Sequence, residues 1–324
     1  MGDDKVPNVN VIIPNLDGEK LLPICLESLR GQTFKDFDIT VVDNGSKDGS
    51  LDLLKERYPD VRVICLDKNY GFALPVNRGI EATEGELIAL LNNDIEVDPK
   101  WLEELHRALV EHPEVGSCQA KLLRYKERGR INGLGIRMNI YGEIEIIGWG
   151  EIDRGQFEEE RYIFAAGAGA SLYRRKMFED IGLFDETFFA NFEDVDLSFR
   201  GQLAGYKALY VPKAIGYHMV GATIKKMKYF PSYLNNRNKV LFFWKNMPKE
   251  IIKKHFWRIL WIRSSFIFKR IFFNFYKLRT YYFLKGTFAA YIRLPHILRE
   301  REKVQAMRRV SIDYLESIMD KDFI

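Results

Sequence analysis

The 324-residue chain has few cysteines: only Cys25, Cys65 and Cys118. Their spacing suits no tetrahedral metal site, and each lies in an apolar run. The expectation is therefore three buried thiols in a reducing compartment. Long hydrophobic stretches are also missing. No run reaches the roughly 18 uncharged apolar residues of a membrane-spanning helix. The opening MGDDKVPNVNVIIP carries acids and no apolar signal core, which points away from export. Position 6 is Val where a myristoylation start needs Ser or Thr. The glycine fingerprint G-x-G-x-x-G is absent after the first apolar run, where Asn15-Leu16-Asp17-Gly18 stands instead, which excludes a dinucleotide oxidoreductase. The Gly-rich, Arg-containing loop of a sugar nucleotidyltransferase is missing from the same place.

Acidic residues are absent from one long stretch. Residues 251–299 contain 11 Lys+Arg, no Asp or Glu, and 14 of the 44 aromatic residues. The remainder carries 38 Lys+Arg against 45 Asp+Glu, so a net −7 body is joined to a basic, aromatic segment. The overall +4 is too small to indicate a nucleic-acid protein, and no nucleic-acid motif accompanies the basic stretch.

Strand and helix signals alternate through the first third. Val9–Pro14, Asp38–Val42, Val61–Leu66 and Glu86–Leu91 read as strands. Leu22, Cys25, Leu26 and Leu29 fall at i, i+3, i+4, i+7 and mark a helix. Leu51, Leu54 and Tyr58 mark a second, and Gly71–Thr83 a third. Pro99 stands at an expected first helical position, opening Lys100–Glu111. The repetition predicts an α/β fold with a mainly parallel central sheet flanked by helices. Glu86–Leu91 is continuously apolar, as a central strand should be. Beyond Val115–Leu123, Arg130–Gly150 suggests short strands and turns, Glu193–Leu203 a helix and Lys207–Val211 a late strand. The division expected is 1–228 for a catalytic domain and 229–324 for a C-terminal helical region that associates with a membrane surface.

Ligands of parallel sheets bind beyond the carboxyl ends of the strands. Four polar features sit there. Asp43, in VVDNGSKDGS, can accept a hydrogen bond from a base or ribose, or cap the helix starting near Ser50. Asn69-Tyr70-Gly71-Phe72, running on to Asn77-Arg78-Gly79, can approach a diphosphate, or is a loop entering an amphipathic helix. Asn92, Asn93 and Asp94 follow the most apolar strand, and Asp94 is placed to ligate a hard divalent cation beside substrate phosphates. Glu193, Asp194 and Asp196 open a helix, where acids complement the dipole. Aromatic crowding around them favours a carboxylate of raised pKa, suited to a base. His218 follows a strand and is either structural or a second metal ligand.

Taken together, VIIPNLDG, VVDNGSKDGS, NYGFALPVNRG, LLNNDIEVDP, AAGAGASLYRR, FEDVDLSFR and GYH resemble the family 2 glycosyltransferases of GT-A fold over about residues 8–245. The subgroup resembled is the bacterial rhamnosyltransferases that build cell-surface polysaccharides. The resemblance implies a nucleotide-diphospho-sugar transferase fold and an inverting transfer dependent on Mg²⁺ or Mn²⁺. It implies dTDP-rhamnose as donor and a polyprenyl-diphosphate-linked glycan as acceptor, with a UDP-hexose donor as the alternative. By the same likeness Pro14, Asn15 and Asp43 bind the nucleoside, and Asn69, Gly71, Asn77, Asn92 and Asn93 line the nucleotide-sugar pocket. Asp94 and His218 hold the metal, and Asp194 is the base with Glu193 beside it. Gly167, Ala168 and Gly169 belong to the donor/acceptor loop. One departure stands out: the usual Asp-X-Asp triplet reads Asn92-Asn93-Asp94.

The basic aromatic stretch reads as a C-terminal helical extension lying on an anionic membrane surface. The alternative is helices packed on the catalytic domain or on a second copy in a homodimer. The membrane reading places the protein in the cytoplasm, peripheral on the inner face of the cell membrane. A non-catalytic membrane-binding protein would leave Asp43, Asp94, Asp194 and His218 unexplained.

Overall fold

A computed structural model describes residues 8–220, 229–274 and 277–320. The first strands and helices run β1 (Val9–Asn15), α1 (Leu22–Arg30), β2 (Phe37–Asp43), α2 (Ser50–Arg57), β3 (Arg62–Cys65), α3 (Ala73–Glu81), β4 (Leu87–Leu91), β5 (Ile95–Val97) and α4 (Trp101–Glu111). A strand-rich middle follows: β6 (Val115–Arg124), β7 (Glu127–Gly133), β8 (Ile136–Met138), β9 (Ile144–Ile146), β10 (Arg161–Ile163) and β11 (Ala170–Arg174). Then come α5 (Arg175–Ile181), a 3-10 turn at Glu186–Phe188, α6 (Glu193–Ala204) and β12 (Lys207–His218). The chain closes with α7 (Phe230–Asn246), α8 (Lys249–Lys254), α9 (Phe256–Asn274), α10 (Leu278–Ile292), α11 (Leu294–Ala306) and α12 (Ile312–Ile318). The composition boundary expected at 228 falls at the end of 221–228, outside the described residues.

Among the described residues, ten strands form one sheet whose main path is β10-β12-β6-β11-β4-β1-β2-β3. The half β3-β2-β1-β4 is parallel throughout. Beyond β4, antiparallel β11 joins it to a β6–β12 pair that is again parallel. The apolar run of β4 is wholly buried, as its place between β1 and β11 requires. Alternation sends β1 residues Val9, Val11 and Ile13 into one core with α1 and α4. Ile12 points into a second core with α3, α5 and α6 on the opposite face.

Two local expectations change. Cys25 and Cys118 are buried, but Cys65 is exposed. It ends β3, the outermost strand of its half, where one flank has no neighbour among the described residues. The late strand runs to His218 rather than stopping at Val211. Proline at 212 has no N–H to give, and the pairing with β6 slips between Val211 and Ile215 before resuming.

A third core unites Phe188, Val195 and Phe199 with Phe242, Phe243, Ile251, Ile297 and Leu315 of the C-terminal helices. At its centre Asp196 is fully buried. It accepts from Arg200 Nε (2.9 Å), Lys245 Nζ (3.0 Å) and Asn246 Nδ2 (2.8 Å). Lys245 also reaches Asp185 Oδ2 at 2.6 Å. Removing one member of such a buried network leaves charge uncompensated, at a cost of about 3–5 kcal/mol. Asp196→Ala should accordingly lose about 3 kcal/mol or more in urea unfolding. A loss below about 1 kcal/mol would remove the network from the determinants of stability.

Candidate functional site

Winding 3-2-1-4 makes the chain reverse direction at β1, so a crevice opens between the carboxyl ends of β1 and β4. Those ends are tied together. Asn93 Nδ2 donates to Asn15 Oδ1 (2.7 Å), and Asn15 Nδ2 donates to Asp43 Oδ1 (2.9 Å). Asp43 also accepts the Ser46 backbone N–H (3.0 Å) and the Ser46 hydroxyl (2.5 Å). It therefore does not cap α2, where Asp48 accepts the Ser50 N–H instead. Asp43 is buried one side chain behind the crevice.

A cleft of about 610 Å³ occupies this position. Pro14, Asn15, Asn69, Gly71, Asn92, Asn93 and Asp94 line it from the parallel half. Ala168 and Gly169 line it from the loop before β11, Glu193 and Asp194 from α6, and His218 from β12. Gly167 sits just behind, its N–H held by Gln119 Oε1 at 2.7 Å. Asn77 is a correction. Its Nδ2 donates to the Phe184 carbonyl (2.9 Å) and Glu186 (3.0 Å), and its Oδ1 accepts from Phe184 N–H (3.0 Å). It staples α3 to the loop after α5 and does not line the cleft. Arg174 and Arg175, following the small-residue loop, donate to backbone carbonyls of Val115 and Gly85.

Asn44 organises the second wall. Its Nδ2 donates to the Gly71 carbonyl (2.7 Å) and its Oδ1 accepts from Tyr70 N–H (2.9 Å). Gly71 has φ +86°, and a Cβ there would lie 2.1 Å from the Phe189 carbonyl oxygen. Only glycine lets this loop press against the segment leading into α6.

That segment is strained. Phe189, Asn191 and Phe192 have φ of 65°, 68° and 75°, a region that bulky side chains avoid. Two residues of α7 restrain it. Asn238, fully buried, donates to the carbonyls of Phe188 (2.9 Å), Ala190 (2.9 Å) and Asn191 (2.7 Å). Arg237 donates to the carbonyls of Thr187 and Phe188, both at 2.8 Å. The restrained segment delivers Glu193 and Asp194 to the cleft. Burial first, and the neighbouring Asp194 second, push Glu193 up to about 8. One of its oxygens has no hydrogen-bond partner. Burial also raises Asp194, opposed by the backbone N–H groups of Val195 and Ala168. Asp196, saturated by its cations, has no proton-accepting role in the cleft.

Across the cleft, His218 Nε2 lies 3.3 Å from Asp94 Oδ2. Pairing of β12 with β5 sets this, because His218 stands opposite Ile95 and Met219 N–H donates to the Asp94 carbonyl at 2.9 Å. His218 Nδ1 meets Asn132 Oδ1 at 2.7 Å. With Nδ1–H donating there, the Nε2 lone pair faces a carboxylate. That arrangement suits a cation between them, and the outer hydrogen bond is of the kind that orients metal-ligating histidines. Among the described residues no group of three or more His, Cys, Asp or Glu forms a metal cage. Two protein ligands with substrate phosphates completing the shell fit Mg²⁺ or Mn²⁺.

Sequence reasoning missed Asn132, Arg237 and Asn238, and the apolar wall of Trp149, Phe230 and Leu234. Asn44, at a strand end beside Asp43, is marked by that position but given no role.

The sheet order with its switch-point crevice is that of the GT-A fold, which solved sugar transferases share. The family model for "Glycosyl transferase family 2" matches residues 10–182, and the chain belongs to that family. The match stops before α6. The chain is 32% identical over 213 residues to the O-antigen biosynthesis protein RfbC of Myxococcus xanthus, covering 63% of this chain and 16% of that protein. It is 30% identical over 216 residues to the N-acetylglucosaminyl-diphospho-decaprenol L-rhamnosyltransferase of Mycobacterium tuberculosis, covering 58% of this chain and 68% of that one. Two of the curated relatives are much longer, so that the match spans 25% and 16% of their lengths. The mannosyltransferase PcManGT of Pyrobaculum calidifontis, solved with GDP-Man and Mn²⁺, superposes with a TM-score of 0.56 at 16% identity, over 97% of this chain and 79% of that one.

The clamp on the strained segment generates a prediction. Asn238→Ala should lower kcat by roughly 10-fold or more, as expected when positioning of a reacting group is loosened. Donor affinity should stay within about twofold, since Asp94, His218 and the β1–β4 ends are untouched. An equal loss in both would make Asn238 a general support of the fold instead.

Proposed function

We propose that the protein is an inverting, divalent-cation-dependent glycosyltransferase. It moves a sugar from a nucleotide-diphosphate donor to an acceptor hydroxyl in cell-surface polysaccharide synthesis. The observation that carries this reading is that Asp194 and the Asp94–His218 pair open into one cleft at the β1/β4 switch point. Asn15 and the loop behind it bound the nucleoside end. Asp94 and His218 hold the cation against the donor diphosphate. When bound, that cation supplies Lewis-acid stabilisation of the charge left on the departing diphosphate. Asp194 takes the proton of the acceptor hydroxyl as that oxygen attacks the anomeric carbon. Glu193, held protonated by its burial, adds no second negative charge beside it.

L-Rhamnose from dTDP-rhamnose is the proposed donor sugar, and a polyprenyl-diphosphate-linked glycan the acceptor. The mycobacterial rhamnosyltransferase relative supports both. Such an acceptor sits at the cytoplasmic leaflet, and the protein is proposed to work there peripherally. Among the described residues no helix is long and apolar enough to cross a membrane. A solved UDP complex among the structural neighbours keeps a UDP-hexose donor as the competing choice.

Two predictions test this. Calorimetry with nucleotide diphosphate and Mn²⁺ should show Asp94→Ala losing the metal-dependent part of binding. His218→Ala should lose less, and Asn132→Ala roughly 10-fold, as outer-shell partners typically do. Unchanged affinity in Asp94→Ala would remove that residue from the site. Separately, Asp194→Asn should bind donor normally and turn over about 10²-fold slower or worse. In the wild type, kcat should rise with pH along an acid limb displaced above the usual carboxylate range, because burial raises Asp194 and only its ionised form accepts a proton. Near-normal turnover in Asp194→Asn would sink its role as the base.

A further inference from the structure

Helices α9 and α10 each bury one side and expose another. On α9, Ile259 is buried, and Arg263 lays its guanidinium 3.8 Å from the centre of the Phe243 ring of α7. On α10, Thr280, Phe283, Gly286 and Ala290, at i, i+3, i+6 and i+10, are buried. At 286 a Cβ would lie 2.3 Å from the Tyr233 carbonyl oxygen, so glycine sets how closely α10 approaches α7.

The outer sides are apolar as well. On α9, Trp257, Leu260, Trp261, Phe268 and Ile271 are exposed at i, i+3, i+4, i+11 and i+14, on one side of the helix with Ser264 between them. On α10, Tyr281, Leu284, Phe288, Tyr291 and Ile292 form a second, at i, i+3, i+7, i+10 and i+11. Trp257 is 79% exposed, Trp261 70% and Phe288 69%, so these rings are not the edges of a packed core. Lys285, at i+4 in the α10 stripe, is exposed among them, and Lys269 and Arg279 are exposed elsewhere on the same two helices. So many exposed rings on two neighbouring helices are rare on a protein that meets only water.

Charge decides what covers it. The cations exposed on α9 and α10, with no acid anywhere in residues 251–299, would meet their own counterparts in a two-fold contact between copies of this face. An anionic lipid surface complements both properties at once: rings at headgroup depth, cations among phosphates. The face also adjoins the cleft. Tyr282 of α10 stacks on Tyr229 at 5.6 Å and 17°. The residues that follow Tyr229, namely Phe230, Pro231 and Leu234, wall the cleft.

We propose that the outer sides of α9 and α10 are one docking surface for a bilayer containing anionic phospholipid, with both helices lying in its interface. That this brings the cleft to a lipid-linked acceptor rests on the transfer reading above; the surface itself does not.

The test uses the full chain and sedimentation with vesicles of equal parts phosphatidylglycerol and phosphatidylcholine, against pure phosphatidylcholine. The expected result is a preference on the order of 100-fold for the anionic vesicles at low salt, from about three engaged cations. High salt should weaken but not abolish binding, because ring burial is insensitive to screening. Trp257→Ser with Trp261→Ser should remove the salt-resistant part. Lys269→Glu, Arg279→Glu and Lys285→Glu together should abolish the anionic preference. Both variants should hydrolyse donor in solution at the wild-type rate. The proposal is overturned if the wild type ignores anionic vesicles or if neither variant changes binding. It is likewise overturned if ultracentrifugation shows a dimer that the Trp variant dissociates, or if single-stranded RNA displaces the vesicles. Lost vesicle binding with intact donor hydrolysis would remove this surface alone. Vesicle binding by a wild type without donor hydrolysis would remove the transfer reading alone.

Discussion

The four residues 189–192 are a stretch of backbone that the local sequence does not favour, and much of the molecule is arranged to hold it. Three non-glycine residues adopt left-handed φ there. Each costs of order 1–3 kcal/mol, so the conformation persists only because its surroundings over-determine it. Gly71 presses on it from the parallel half, and Arg237 and Asn238 bind its carbonyls from α7. The outcome is local: α6 begins where Glu193 and Asp194 must face the cleft. The support is long-range, drawn from both ends of the chain. The buried Asp196–Lys245–Arg200 network then fixes α6 against α7 one turn further on.

The two sides of the cleft are built on different principles. The β1–β4 side is a chain of two amides ending on a carboxylate, Asn93 to Asn15 to Asp43, all buried and hydrogen-bonded in turn. An acid at 93 could not donate to Asn15 Oδ1. Turning Asn15 over to compensate would point its oxygen at Asp43. Asn93, at the variable position of the triplet, therefore has a structural use, and with Asn92 in place of the first acid Asp94 is left as the carboxylate of that turn. On the other side, Glu193 and Asp194 are adjacent carboxyls in an apolar setting, and burial first, with the field of Asp194 second, holds the proton on Glu193.

Legibility in the sequence followed range. The parallel strands were readable because alternation and apolar runs are local properties, and the polar residues after them were readable from strand ends alone. What failed depended on partners far along the chain. Asn77 looked like a ligand because it follows a glycine-rich loop, yet it binds the Phe184 backbone, 107 residues away. Cys65 looked buried from its neighbours, but it lies at the end of β3, the outermost strand of its half among the described residues, and is exposed. Asn238 and Arg237 sit in an unremarkable amphipathic helix, and nothing within a helical turn announces that they grip another loop. His218 and Asp94 were paired only by likeness to a family. The structure supplies the reason in the β5–β12 register.

Asn238 follows the carbonyls it restrains by 47 to 50 residues. During synthesis the sheet and the front of the cleft can form first, while the floor beneath Glu193 and Asp194 stays undefined until α7 has emerged. At roughly 5–20 residues per second that interval lasts several seconds. A nascent chain in this window has the loops after β1 and β4 in place and Glu193 and Asp194 not yet positioned, so the cleft reaches its final geometry only once the C-terminal helices begin to dock.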